Sequence, residues 1–152
     1  MLVCEMAAYY KKQGKSLAEV IDGLYDEFGY YLNKTYSFEF EGAAGMQKMA
    51  DIMSGLRDNT PDAVDKYKVV RICDYLLKKE TDVKTGESTD ITLPKSNVIS
   101  LNLEGDNSVI IRPSGTEPKI KLYITSVGSD KENAEIICES LVKSSMELLG
   151  IE

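Results

Sequence analysis

Apolar positions recur at helical spacing over the opening residues of this chain, where Leu2, Met6, Tyr9 and Tyr10 fit successive turns ending near Gly14. Ser16-Leu17-Ala18-Glu19 follows as a capping box, in which the Ser hydroxyl and the Glu carboxylate each accept an otherwise unpaired amide. Leu17, Val20, Ile21, Leu24 and Phe28 then mark one face of an amphipathic helix closing at Gly29. These two helices have apolar faces and no sheet of their own, so they need a partner. MLVCEMAAYYKK reads as the middle of a helix, which suggests further sequence upstream.

Beyond Gly29 the period changes. Tyr36 to Phe40 alternates apolar and polar residues, as a half-buried strand does. Residues 43–57 return to helical spacing through Met46, Met49, Ile52, Met53 and Leu56, a stripe suited to a core. Asn59 to Asp62 reads as a turn, and Tyr67 to Tyr75 is rich in β-branched and aromatic residues. The polar stretch Lys78 to Pro94, with Thr85-Gly86-Glu87 at its tip, reads as a hairpin or loop. Val98–Leu103, Ser108–Arg112 and Lys119–Ser126 are further strands, the first two joined by the turn Glu104-Gly105-Asp106-Asn107. A second capping box is expected at Ser129-Asp130-Lys131-Glu132. It starts a closing helix whose apolar stripe is Ala134, Ile137, Cys138, Leu141, Leu148 and Leu149. The pattern predicts an α+β fold: a small antiparallel sheet of four to five strands flanked by helices and preceded by two helices. The expected division is a helical segment at 1–34 and an α+β domain at 35–152.

Composition narrows the chemistry. The 152 residues, 43% hydrophobic and 28% charged, suffice for a real core. A net charge of −7 argues against nucleic acid or an anionic membrane as partner, since both require a basic footprint. No apolar run reaches the roughly 20 residues of a membrane span. The absence of His removes imidazole as base, proton shuttle or metal ligand. Cys4, Cys73 and Cys138 are scattered and odd in number, which points to buried thiols in a reducing, cytoplasmic compartment. Asp62 and Asp65, and likewise Asp82 and Asp90, read as solvated charges.

The segment Arg112-Pro113-Ser114-Gly115-Thr116-Glu117-Pro118-Lys119 concentrates candidate chemistry. Hydroxyls and backbone amides in a tight turn form an anion-binding nest, and Gly115 lets a ligand approach the backbone. Arg112 adds a planar fork that matches two phosphate oxygens. Prolines at both ends restrict φ. Lys119, Lys121 and Tyr123 share one strand face while Ile120, Leu122 and Ile124 share the other, so Lys121 can project beside the loop. Ser-Gly-Thr-Glu-Pro is also ordinary turn composition, and that alternative stands on composition alone.

RPSGTEPKIKLYI, residues 112–124, resembles the C-terminal phosphate-binding signature of the α-D-phosphohexomutase superfamily, the phosphoglucomutases and phosphomannomutases. EGAAGMQKMADIMSGLRDN, Tyr67–Tyr75 and the closing helix resemble the fourth, TBP-like domain of these enzymes. Residues 1–31 resemble the end of the third domain and its linker. The resemblance implies that Arg112, Ser114, Gly115, Thr116 and Lys121 bind the phosphate that is not transferred. Pro113, Glu117, Pro118 and Lys119 would shape the loop. It also implies a parent isomerase of carbohydrate metabolism, an intramolecular phosphotransferase interconverting hexose 1-phosphate and hexose 6-phosphate. That parent would use Mg²⁺ and a hexose 1,6-bisphosphate activator, neither held by ligands in this chain. The domain would rotate over the bound phosphosugar. The family's phosphoserine, Asp-rich metal loop and sugar-reading loop are absent, so no catalytic residue is assigned and the chain alone should be inactive. Its expected partners are a phosphosugar and the N-terminal domains of the same polypeptide, with a homodimer through residues 1–34 as a further arrangement. The other reading of the chain is a free-standing phosphosugar-binding or protein-interaction module. Sugar identity is left open.

Overall fold

A computed structural model describes residues 1–42 and 44–151. The chain runs α1 (Leu2–Lys12), α2 (Leu17–Phe28), β1 (Tyr30–Glu39), α3 (Ala44–Asp58), β2 (Ala63–Val64), β3 (Tyr67–Asp74), β4 (Lys79–Asp82), β5 (Ser88–Asp90), β6 (Ile99–Leu103), β7 (Ser108–Pro113), β8 (Lys119–Gly128) and α4 (Lys131–Leu149). Of the helix expected at 43–57, residue 43 lies outside the described residues, as does residue 152.

The sheet order is β1-β8-β7-β6-β3-β4-β5, with β2 paired to β3, and neighbours run antiparallel. The first strand therefore lies beside the last. β1 pairs with β8 along its whole length, from Tyr30 opposite Gly128 to Glu39 opposite Lys119. Alternation sets the two faces: Ile120, Leu122 and Ile124 of β8 and Val109 and Ile111 of β7 are buried. They form one cluster with Met49, Met53 and Leu56 of α3 and Ile137, Cys138 and Leu141 of α4, so both helices cover the same face. Each of these aliphatic side chains contributes about 1.5–3 kcal/mol by leaving water. The other face carries Arg112, Lys121 and Tyr123.

Short connections demand close approaches. A methyl group on Gly128 would lie 2.4 Å from the Ala134 amide nitrogen, so only Gly lets β8 turn directly into α4. The Ser126 hydroxyl donates to the Ala134 carbonyl at 2.8 Å across the same junction. At the far end of α3, Arg57 Nε meets Asp74 Oδ2 at 2.8 Å, and the guanidinium also donates to Asn97 at 2.6 Å. That largely buried pair ties α3 to the end of β3.

Several expectations are corrected. β1 starts at Tyr30 rather than Tyr36, so residues 30–34 are strand and the expected 34/35 boundary falls inside β1. Tyr31, Asn33 and Thr35 face outward there, and backbone pairing with β8 supplies the order that an apolar pattern did not signal. The polar 78–94 stretch contains β4 and β5, and β2 adds a two-residue pair, so the sheet exceeds four to five strands. The Ser16–Glu19 capping box forms as expected, whereas α4 is capped by Asp130 instead of Ser129. The Asp130 carboxylate accepts the Asn133 amide at 2.9 Å, and the Asn133 side chain accepts the Ser129 amide at 3.2 Å. An ionised Asp caps as well as Ser and gains from the helix dipole. Met46 and Leu148 lie outside the core stripes, 44% and 38% exposed. Cys4 is exposed, unlike Cys73 and Cys138.

Candidate functional site

The antiparallel register of β7 and β8 sets Arg112 opposite Lys121 and Pro113 opposite Ile120. Their neighbours Ile111 and Leu122 enter the core, so Arg112 and Lys121 emerge together on the face opposite α3 and α4. Between them the chain folds tightly. The Ser114 amide donates to the Lys119 carbonyl and the Lys119 amide to the Glu117 carbonyl, both at 2.8 Å. The Ser114 hydroxyl oxygen accepts from the Thr116 and Glu117 amides at 3.4 and 3.3 Å, curling the loop inward.

The resulting open cavity has a volume of about 310 Å³. Its lining includes every expected site residue except Pro118. No protein atom lies within 4 Å of where a side chain on Gly115 would begin, so crowding inside the protein does not require Gly there. A small residue at this position leaves the backbone open to a ligand.

The cations divide into two kinds. Lys119 Nζ is paired with Glu117 at 2.5 Å. Hydrogen bonding and the opposite charge hold the Glu117 carboxyl below its usual range, and the same hydrogen bond raises Lys119. Among the described residues neither Arg112 nor Lys121 is in an ion pair, so their charge is available to the cavity. On the other side of the Glu117–Lys119 pair lies a second cavity of about 300 Å³, lined by Glu39, Phe40, Glu41, Glu117, Pro118 and Lys119. Three carboxylates against one committed Lys do not suit an anion. Glu39 and Phe40 carry no local motif. They reach the loop only because β1 pairs with β8, which no short window of sequence reports.

Among the described residues no group of three or more His, Cys, Asp or Glu could hold a metal ion. No helix among them is long and apolar enough to cross a membrane.

Comparison with known proteins agrees with this architecture. The family described as phosphoglucomutase/phosphomannomutase, C-terminal domain, matches residues 46–141. A phosphoglucomutase of Staphylococcus epidermidis is 39% identical over 124 residues, 82% of this chain and 22% of that protein. That of Staphylococcus saprophyticus is 39% identical over 114 residues, covering 75% of this chain and 20% of that protein. The chain thus spans about a fifth of the length of these relatives. The open-form crystal structure of the exocytosis-sensitive phosphoprotein pp63/parafusin, a phosphoglucomutase from Paramecium, superposes with a TM-score of 0.61. The superposition covers 95% of this chain and 25% of that one at 14% identity, a likeness of fold. The chain belongs to the phosphoglucomutase/phosphomannomutase family and carries its C-terminal domain.

Proposed function

We propose that this chain supplies the C-terminal domain of an enzyme that interconverts hexose 1-phosphate and hexose 6-phosphate. In this reading Arg112, Ser114, Gly115, Thr116 and Lys121 hold the phosphate that is not transferred, while Pro113, Glu117, Pro118 and Lys119 shape the loop. The supporting observation is the cross-strand pair Arg112–Lys121, two cations in no ion pair among the described residues, beside a hydroxyl-rich turn. Arg presents two parallel donors to phosphate oxygens, and Lys adds a point charge from the adjacent strand.

Among the described residues there is no cluster of His, Cys, Asp or Glu suited to the Mg²⁺ that the family implies. Metal, the hexose bisphosphate activator and the phosphoryl-carrying group belong to other parts of the parent polypeptide. Phosphoryl transfer depends on positioned metal and nucleophile, so the fragment alone is inactive. Residues 1–29 form the end of the preceding domain and its linker, and β1 opens the phosphate-binding domain at Tyr30. The exposed Leu2, Val3, Tyr9 and Phe28 are covered by the preceding domain in the parent, which is cytoplasmic. Self-association of the isolated chain through these helices is the other way to cover them.

Amide-resolved NMR titration with glucose 6-phosphate, glucose 1-phosphate and inorganic phosphate tests the assignment. Saturable shifts confined to residues 112–121 and similar for all three ligands are expected. No shift in that segment would reduce it to a well-made turn.

A further inference from the structure

The candidate phosphate loop is anchored by more than the two strands it connects. Its second half is gripped from β1 and α3, elements distant in sequence. The Phe40 amide, just beyond β1, donates to the Pro118 carbonyl at 2.7 Å. Glu39, the residue before, stands opposite Lys119, which is itself paired with Glu117. Gly45, buried in the first turn of α3, faces the same point. A methyl group on Gly45 would lie 2.7 Å from the Phe40 carbonyl oxygen, 2.9 Å from Pro118 Cβ and 3.0 Å from Phe40 Cβ. None of these atoms is the far end of a flexible chain, so Ala at 45 would force α3 and the loop apart. On the outer side, Lys48 Nζ sits 5.2 Å from the centre of the Phe40 ring.

Gly is a poorer helix former than Ala, because its backbone loses more freedom on folding. Gly55 shows that crowding does not require Gly throughout α3, since nothing lies within 4 Å of its would-be Cβ. At 45 it is the close approach that demands Gly. Pro118 is tied to the body of the domain through Phe40 and Gly45, and Ser114, Gly115 and Thr116 line the cavity together with Glu117 and Lys119.

We propose that Gly45 and Phe40 are positioning residues for the phosphate loop, acting through Pro118 to set where Ser114–Thr116 stand relative to Arg112 and Lys121. This rests on residues 112–121 being the phosphate site. Neither residue touches the ligand. Their contribution is to fix the loop before binding, so that little ordering remains to be done when phosphate arrives.

The test compares Gly45→Ala with Gly55→Ala, the same substitution in the same helix. Each is titrated by NMR with inorganic phosphate and glucose 6-phosphate. The expected result is displaced amide signals for residues 114–117 of the ligand-free G45A protein, with affinity lowered on the order of tenfold. G55A should keep wild-type affinity and loop signals. Wild-type loop signals and affinity in G45A would overturn the inference while leaving the phosphate site intact. A wild-type protein that binds neither ligand would instead overturn the phosphate reading, and the ligand-free loop signals would then decide the positioning role alone. Should G45A fail to fold, Pro118→Gly tests the same contact at a half-exposed loop position. Weaker phosphate binding at an unchanged melting temperature supports the inference, and wild-type affinity overturns it.

Discussion

Arg112→Ala is the perturbation that isolates the proposed phosphate contact. The side chain is exposed, points away from the core that Ile111 enters, and is in no ion pair among the described residues. Its removal should therefore change folding stability by no more than about 0.5 kcal/mol. A hydrogen bond to a charged group contributes about 1.5–3 kcal/mol. A loss of about 2 kcal/mol corresponds to roughly 30-fold weaker binding. Arg112→Lys should fall between wild type and Ala, since it keeps the charge and loses the two-pronged geometry. Because the cavity is open, added salt should shrink the difference. The assay is a phosphate titration followed by amide shifts at low ionic strength, paired with a thermal melt. An R112A protein that melts like wild type and binds phosphate within about twofold of it would refute the reasoning.

Other outcomes follow from packing and capping. Leu122→Ala empties a fully buried position in β8 and should cost about 2–5 kcal/mol in urea unfolding; under about 1 kcal/mol would contradict its place in the core. Gly55→Ala should stabilise the protein by up to about 1 kcal/mol, whereas Gly128→Ala should destabilise it by about 1–3 kcal/mol because the new methyl meets the α4 backbone. Hydrogen bonding from the Asn133 amide holds the Asp130 carboxyl below its usual range. Its folded pKa is thus below the unfolded one, so its stabilisation is complete above the ordinary aspartate value of 3.8 and fades as pH falls through the lowered one. Asp130→Asn keeps a capping group and removes the titration, so the stability gap between wild type and D130N should narrow on acidification, as read from urea melts across pH. Deleting residues 1–29 should leave a folded domain, whereas deletion to residue 34 removes the half of β1 that pairs with Ile124–Gly128 and should broaden or lower the melt.

Legibility in the sequence followed the range of the interaction. The Ser16–Glu19 box and the helix after it depend on contacts three and four residues apart, and both stand where the spacing puts them. The alternation of β8 likewise states which residues enter the core, because a strand's side chains alternate whatever it pairs with. β4 and β5 were readable only as a hairpin or loop. Their polar side chains carry no signal, and it is backbone pairing, of β4 with β3 and of β5 with β4, that makes them strands. Met46 shows the converse, an apolar residue at helical spacing that stays outside the core.

The candidate site divides in the same way. Residue types, their order in the 112–121 segment and the face shared by Lys119 and Lys121 were all determined by the sequence. Which Lys keeps its charge for the cavity was decided by the folded loop, where Glu117 takes Lys119 and leaves Lys121. The grip of Phe40 and Gly45 on Pro118 was likewise a matter of tertiary structure. It joins segments separated by most of the domain, through a strand pairing whose partners cannot be named until the sheet has closed β1 against β8. Local periodicity is a property of a few consecutive residues and is written into their order. The juxtaposition of distant segments depends on the whole chain burying its apolar surface at once.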